Sequence, residues 1–160
     1  MTQRLSQLTE LILEIFRLNG RLLAAGDSLV ADLGLTSARW QVLGAVALAP
    51  EPLPVAQIAR DRGLTRQAVQ RIANDLAAAG LSRFEDNPRH QRAQLVVLTP
   101  TGRKAFEAAM ARQLPWAKHL GAPLKSEDVD TALAVLRTIR ARAAAGPARK
   151  SSPRLTKSGA

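Results

Sequence analysis

The chain has 160 residues, 23 of them lysine or arginine and 13 acidic, for a net charge of +10. This length favours one domain with a real core, and the charge favours a polyanionic partner. The chain has no cysteine, which excludes disulfides, thiolate metal sites and thiol redox sensing. No segment reaches the roughly 18 apolar residues that span a bilayer, and the N-terminus lacks a signal-peptide layout. We therefore expect a cytoplasmic protein without a membrane partner.

The N-terminal third is predicted to be helical. A long helix from about Thr2 to Ala25 carries an apolar stripe at helical spacing, and a helix-compatible connection, 26–34, follows it. Thr36 would cap a next helix over 36–49, before the rigid sequence EPLP at 51–54. The stripe consists of Leu5, Leu8, Leu11, Ile12, Ile15 and Leu22. The inward-facing residues of the next helix would be Trp40, Leu43, Val46 and Ala47.

Two short helices joined by a tight turn are predicted next. The first, VAQIARDRG at 55–63, turns Val55, Ile58 and Ala59 toward a core, and Gly63 ends it because glycine enters the left-handed conformation at low cost. Leu64 would fill the corner and Thr65 would cap the second helix, 65–80. That helix would bury Ala68, Ile72, Leu76 and Ala79. Its opposite face carries Arg66, Gln67, Gln70, Arg71 and Asn74, a polar surface suited to contacting DNA.

The next segment reads as a hairpin with a basic tip. A strand over 81–85 leads into turn chemistry at 86–88 and the sequence RHQR at 89–92, and Leu95–Leu98 form an apolar return strand. Thr99 and Pro100 begin the next helix as cap and first helical residue. A helix-turn-helix followed by a two-stranded wing predicts a mainly α (α+β) winged helix-turn-helix fold.

Two further helices and a tail complete the chain. The first runs from Pro100 to about His119 and should be kinked or broken at Pro115, since proline removes a backbone hydrogen bond. The second spans 126–145, with Ser126 as its cap and Glu127 and Asp128 in its first turn. The segment 146–160 is rich in Gly, Pro, Ser and Lys, and we expect a disordered basic tail.

The terminal helices indicate a homodimer. Their apolar stripes flank a winged module that does not need them, and a two-fold interface would bury them. The alternative is that they pack only on each other within one chain. The expected organisation is an N-terminal dimerisation helix and connection (1–35), a DNA-binding region (36–99), C-terminal dimerisation helices (100–145) and the tail (146–160).

These residues resemble one known family. The strings LTRQAVQRIANDLAAAGL (64–81) and DNPRHQRAQLVVLTPTG (86–102), with the flanking helices, are similar to the MarR family of bacterial regulators, over about residues 5–142. The resemblance implies a homodimer that binds double-stranded DNA, usually represses nearby genes, and in many members releases DNA when a small aromatic or phenolic ligand binds. The ligand would lie between the dimerisation and DNA-binding parts.

Site residues follow from the resemblance. The readers on the second helix would be Thr65, Arg66, Gln67, Gln70 and Arg71, with arginine suited to guanine, glutamine to adenine and threonine to phosphate. The alternative for this face is a merely solvated helix surface.

The wing implies further DNA contacts. Arg92 matches the arginine that enters the minor groove, and Arg89 and His90 share the basic tip. His90 departs from the family, which commonly has an acidic residue there to orient the arginine. His90 would instead touch phosphate and make binding mildly pH-sensitive, or it is a surface histidine without a role.

Other residue types narrow the function. Trp40 and Trp116 could line a ligand pocket, although their helical spacing also fits a core position. His119 has no partner at metal-ligand spacing. With two distant histidines, no tyrosine and no glycine-rich phosphate loop, an enzyme is not expected, nor a metal or cofactor. The alternative to a sequence-specific regulator is a sequence-tolerant architectural DNA-binding protein, which the basic tail and high net charge would also suit.

Overall fold

The computed structural model describes residues 2–90 and 92–145; the expected tail, 146–160, and Gln91 of the wing lie outside them. The elements, in chain order, are α1 (Thr2–Val30), a 3₁₀ turn (Ala31–Leu33), α2 (Ser37–Ala47), β1 (Leu53–Pro54), α3 (Val55–Arg62), α4 (Arg66–Ala78), β2 (Ser82–Glu85), β3 (Leu95–Leu98), α5 (Pro100–Gly121) and α6 (Ser126–Ala144). The mainly helical winged helix-turn-helix prediction is confirmed. Among the helices of the described part, none is long and apolar enough to cross a membrane.

The chain divides into two compact units, Met1–Ala117 and Lys118–Ala160. The first unit contains the sheet, α1 to α4 and most of α5. The described part of the second unit contains the last turn of α5 and the whole of α6.

The sheet has three strands rather than the predicted two. Its order is β1-β3-β2 and both pairings are antiparallel, with Val96 opposite Leu53 on one side and Phe84 on the other. The sequence of EPLP predicts only a rigid connection, because a two-residue strand has no periodicity to recognise. Pro54 is tolerated there since β1 is an edge strand, where a missing backbone N–H leaves no ladder bond broken.

The core of the first unit lies between α2, α3, α4 and β3. Its largest fully buried side chains are Val30, Val42, Leu43, Ile58, Val69, Leu76 and Val96. Two inward-facing predictions for α2, Leu43 and Val46, are confirmed, while Trp40 and Ala47 are half-buried. The helix-turn-helix therefore packs on α2, which lies beneath α4.

The first helix is longer than predicted, because Gly26 does not end it. A side-chain carbon at Gly26 would lie 2.3 Å from the hydroxyl oxygen of Ser37, so this glycine allows α1 and α2 to approach each other closely. The helix continues to Val30, and the left-handed Gly34 (φ 68°) ends the 3₁₀ turn that follows. A glycine selected for close packing looks in the sequence like a helix stop.

The C-terminal helices differ from the predictions in two details. Of the two effects expected at Pro115, a kink or a break, the break does not occur, because α5 continues through this residue to Gly121. At the start of α6 the capping position is Lys125, in extended conformation and without a side-chain cap, so Ser126 is the first helical residue and not the cap. Glu127 and Asp128 do occupy the first turn.

The start of α5 is tied to the corner between α4 and β2. Thr99 caps the helix as predicted, because its hydroxyl accepts a hydrogen bond from the Gly102 N–H at 3.0 Å and donates to the Gly80 carbonyl at 2.7 Å. The Thr99 N–H donates to the Leu81 carbonyl at 3.1 Å. A side-chain carbon at Gly102 would lie 1.8 Å from that same Leu81 oxygen. Only glycine at 102 allows this approach.

We expect Gly102→Ala to lower the free energy of unfolding by about 3 kcal/mol, because the new methyl group would push α5 off the Leu81 backbone. Gly121→Ala is the matched control, since Gly121 lies in the same helix with nothing within 4 Å of its added carbon. The control should be neutral or slightly stabilising. Chemical denaturation of both variants measures the difference, and equal stabilities would contradict the packing role.

Candidate nucleic-acid interface

The turn between α3 and α4 is set by two residues. Gly63 adopts the left-handed conformation (φ 64°), and its N–H closes the end of α3. The Thr65 hydroxyl then accepts a hydrogen bond from the Ala68 N–H at 3.1 Å and caps α4. Both predictions are confirmed. Leu64, expected to fill the corner, is instead 37% exposed.

Helix α4 buries one face and presents the other. The buried residues are Val69, Ile72, Ala73 and Leu76, at spacing three and four. The predicted set was half wrong, since Ala68 is half-buried and Ala79, which follows the helix as its C-cap, is exposed.

The polar face of α4 is solvent-exposed, as the sequence indicated. Arg66, Gln67, Gln70 and Arg71 are all exposed, and the Gln70 amide donates to the Asn74 side-chain oxygen at 3.0 Å. This bond links two polar side chains one turn apart on the helix surface and restricts the rotamer of Gln70.

The tertiary structure brings α4 and the wing together around one open cleft of about 380 Å³. Arg66, Gln67 and Gln70 line it from α4, and Arg92 and Gln94 line it from the wing. Within the described residues no carboxylate lines this cleft, so its polar groups are two guanidinium groups and three carboxamides. Thr65 and Arg71 lie on the exposed side of α4 outside the lining. Gln94 was missed by sequence reasoning, because its position beside α4 follows from strand pairing.

The wing tip has its own geometry. Asn87 is 8% exposed; its side-chain oxygen accepts the Arg89 N–H at 3.0 Å and its carbonyl accepts the His90 N–H at 3.1 Å. Arg89 and His90 line a second cleft, beside Glu51, and the Arg89 guanidinium lies 3.5 Å from the Glu51 carboxylate. Arg89 and His90 therefore line a different cleft from Arg66, Gln67 and Gln70 of α4. The ion pair is well exposed and contributes little to stability.

Helix α2 connects to α4 through an ion pair. The Arg39 guanidinium lies 3.6 Å from the Asp75 carboxylate on α4 and donates to the Gly34 carbonyl at 3.4 Å. Sequence reasoning did not single out Arg39. Its neighbour Trp40 lies on a different surface of the same helix.

That surface is part of a cleft of about 270 Å³ between α1, α2 and α5. Trp40 and Trp116, half-buried, line it together with the side chains of Asn19, Gln41 and Gln113. Ser37 lies at its base, where its hydroxyl donates to the Leu23 carbonyl at 2.7 Å and its N–H donates to the Asp27 carboxylate at 2.6 Å. The two tryptophans are thus neighbours in space although 76 positions separate them.

Beside this cleft, α5 is fastened to the end of α1. Arg112 makes a bidentate ion pair with Asp32, one arm of which measures 2.7 Å, and donates to the Leu29 carbonyl at 3.2 Å. The hydrogen bond from Arg112 holds the pKa of Asp32 below its ordinary value. The bond therefore stabilises the fold at neutral pH and is lost as the pH falls through that lowered pKa.

Fold and surface together define a winged helix-turn-helix DNA-binding protein. A model described as MarR family matches residues 33–93. A protein of Mycobacterium tuberculosis H37Rv is 41% identical over 108 residues, which cover 68% of this chain and 74% of the relative. The chain belongs to the MarR family, whose members are transcription regulators and not enzymes.

Solved structures agree on the fold. A MarR-family transcriptional regulator from Streptomyces coelicolor is 27% identical with a TM-score of 0.72, over 87% of this chain and 96% of that one. CouR from Rhodococcus jostii RHA1, whose structure contains bound p-coumaroyl-CoA, is 22% identical with a TM-score of 0.71, over 78% of this chain and 87% of that one.

We expect Arg92→Ala to weaken binding to a selected DNA site about tenfold, with the largest loss at A·T-rich flanks, where the narrow minor groove attracts arginine. Arg83→Ala is the matched control: it removes an exposed arginine on β2 whose guanidinium lies 2.6 Å from Glu85. Fluorescence anisotropy with labelled duplexes measures both variants. Equal losses in the two would argue against a specific wing contact.

Proposed function

We propose that the protein is a sequence-specific transcription repressor that binds a palindromic operator as a homodimer and leaves it when a small aromatic effector binds. The proposal that it binds DNA rests on one observation: Arg66, Gln67 and Gln70 of α4 and Arg92 of the wing line the same basic cleft. Helix α4, the proposed recognition helix, would enter the major groove while the wing reaches the adjacent minor groove. Because the proposed target is chromosomal DNA, we propose that the protein acts in the cytoplasm.

Each proposed reader has chemistry that fits a base edge or a phosphate. Arginine can make two parallel hydrogen bonds to guanine, and glutamine two to adenine, each pair worth about 1–3 kcal/mol of discrimination. Arg66, Gln67, Gln70 and Arg71 are the candidates for these pairs. Thr65 would donate to phosphate with its hydroxyl, beside the positive end of α4.

At the wing, Arg92 would enter the minor groove, and Arg89 and His90 would meet the backbone. For Arg89 this requires the exchange of Glu51 for a phosphate, which the exposure of the ion pair makes inexpensive. The backbone contacts of Arg89 and His90 would add affinity that depends on salt and not on sequence.

The homodimer is supported by apolar side chains left in solvent. On α1, Leu5 is 59% and Phe16 70% exposed, and α6 exposes Leu133 and Leu136. Exposed apolar area costs about 25 cal/mol per Å², so a second copy that covers these helices would stabilise both chains. Two recognition helices about 34 Å apart would then match a palindrome with half-sites one turn apart.

The effector part is supported by the cleft between Trp40 and Trp116, and by the family neighbour CouR, whose structure holds p-coumaroyl-CoA. Helix α2 would couple this cleft to DNA binding, since Trp40 and Gln41 of α2 line the cleft and Arg39 of α2 pairs with Asp75 of α4. A ligand that shifts α2 would shift the recognition helix with it, because their shared core transmits displacement.

We expect Gln70→Ala and Arg71→Ala to relax base preference in a selection of bound sites from random DNA, where the wild type should recover a palindrome. Each change removes one bidentate contact, so discrimination at one position should fall about tenfold or more. Arg137→Ala, an exposed arginine of α6, is the control and should leave the selected site unchanged. Equal losses on specific and random DNA would favour an architectural DNA-binding protein instead.

We expect Leu8→Asp to shift the protein from dimer toward the 17.2 kDa monomer, because it places a charge in the middle of the apolar stripe of α1. Ser6→Asp is the matched control, since it adds the same charge to the opposite side of the helix, about 200° around the axis. Sedimentation equilibrium reports the mass. A wild-type monomer, or equal masses for the two variants, would contradict the interface.

A further inference from the structure

We propose that the cleft between Trp40 and Trp116 selects an uncharged aromatic molecule over the corresponding carboxylate. This inference rests on the proposed effector role of the cleft and names the chemical class of its ligand. The volume, about 270 Å³, lies just below the usual range of small-molecule sites, about 300–1,000 Å³, and suits a single substituted ring system.

The walls of the cleft are neutral throughout the described residues that line it. Trp40 and Trp116 provide flat apolar surfaces, which favour an aromatic ring stacked or edge-on against them. The polar groups that reach the cleft from three helices are carboxamides: Asn19 on α1, Gln41 on α2 and Gln113 on α5. Each can donate and accept a hydrogen bond, so together they fit hydroxyl, amide or carbonyl substituents.

Two arginines next to lining residues in sequence already have partners, and a third, Arg21 beside Leu22, lies about 200° around α1 from the lining residue Asn19. Arg112, next to Gln113, is held by Asp32 and the Leu29 carbonyl, and Arg39, next to Trp40, is held by Asp75. An anionic ligand would have to break one of these ion pairs or remain unpaired. A carboxylate buried without a cation or a full set of donors is costly.

The base of the cleft also disfavours an anion. The Ser37 hydroxyl donates to the Leu23 carbonyl and the Ser37 N–H donates to the Asp27 carboxylate, so neither donor is free for a ligand carboxylate. The Asp27 carboxylate itself lies 2.6 Å from the Ser37 nitrogen and adds negative potential at this end of the cleft. A neutral ligand meets neither obstacle.

The chain reports on this cleft by its own fluorescence. Trp40 and Trp116 are its two tryptophans and it has no tyrosine, so indole emission comes from the walls of the proposed site. The full-length protein is titrated at pH 7.5 with 4-hydroxybenzamide and with 4-hydroxybenzoate, which differ in the charged group alone. N-acetyltryptophanamide corrects for collisional quenching, and Trp40→Phe and Trp116→Phe assign the signal.

The expected result is saturable quenching by the amide, with a Kd at least tenfold below that of the carboxylate. Gln113→Lys should reverse the preference, because it supplies the cation that the cleft lacks. Gln7→Lys, on α1 outside this cleft, adds the same charge and should leave the preference unchanged.

Equal or tighter binding of the carboxylate, no saturable quenching by the amide, or a reversal in Gln7→Lys as well would overturn the inference. These outcomes are separate from operator binding, which is measured without ligand. Loss of the amide preference with intact operator recognition would reject this inference alone. An amide preference without operator recognition would reject the proposed regulator and leave the ligand class standing.

Discussion

The arrangement of the helix-turn-helix and the wing depends on one constraint, the close approach of α5 to the corner between α4 and β2. Thr99 is bonded to the carbonyls of Gly80 and Leu81, and Gly102 leaves room for that backbone by having no side chain. The end of α4, the start of β2, the end of β3 and the start of α5 therefore meet at one point. The string LTPTG at 98–102 encodes this junction.

This junction places the wing beside the polar surface of α4. Because β3 is held at its end by Thr99 and pairs with β2, the wing folds back beside the recognition helix, and Arg92 and Gln94 reach the cleft lined by Gln67 and Gln70. The wing tip lies outside this cleft. Arg89 pairs with Glu51, and both Arg89 and His90 line a second cleft. In the proposed complex the wing would therefore contribute one groove contact and a separate set of backbone contacts.

Helix α2 has a central place in the proposed regulation, because it belongs to two surfaces at once. Its buried face, with Leu43 and Val46, packs in the core beneath the helix-turn-helix. Its N-terminal turns carry Ser37 and Trp40 to the neutral cleft and Arg39 to the recognition helix. A well-packed core is stiff, so an effector that separates α1 from α2 would also displace α4. The closeness of Gly26 to Ser37 leaves little slack at that contact.

The sequence by itself determined the order of the helices and of the two wing strands, the caps at Thr36, Thr65 and Thr99, the left-handed turn at Gly63 and the exposed polar face of α4, because these features depend on contacts within a few residues. The tertiary structure alone decided the rest. The edge strand at Leu53–Pro54, the separation of Arg89 from the readers, the Arg39–Asp75 pair and the meeting of Trp40 with Trp116 all join segments distant in the chain. Gly26 shows the limit most clearly: the sequence pattern indicated a helix end, and only the partner helix shows that the missing side chain makes room for Ser37. Local rules of capping and periodicity carry no information about which distant surface a residue will meet.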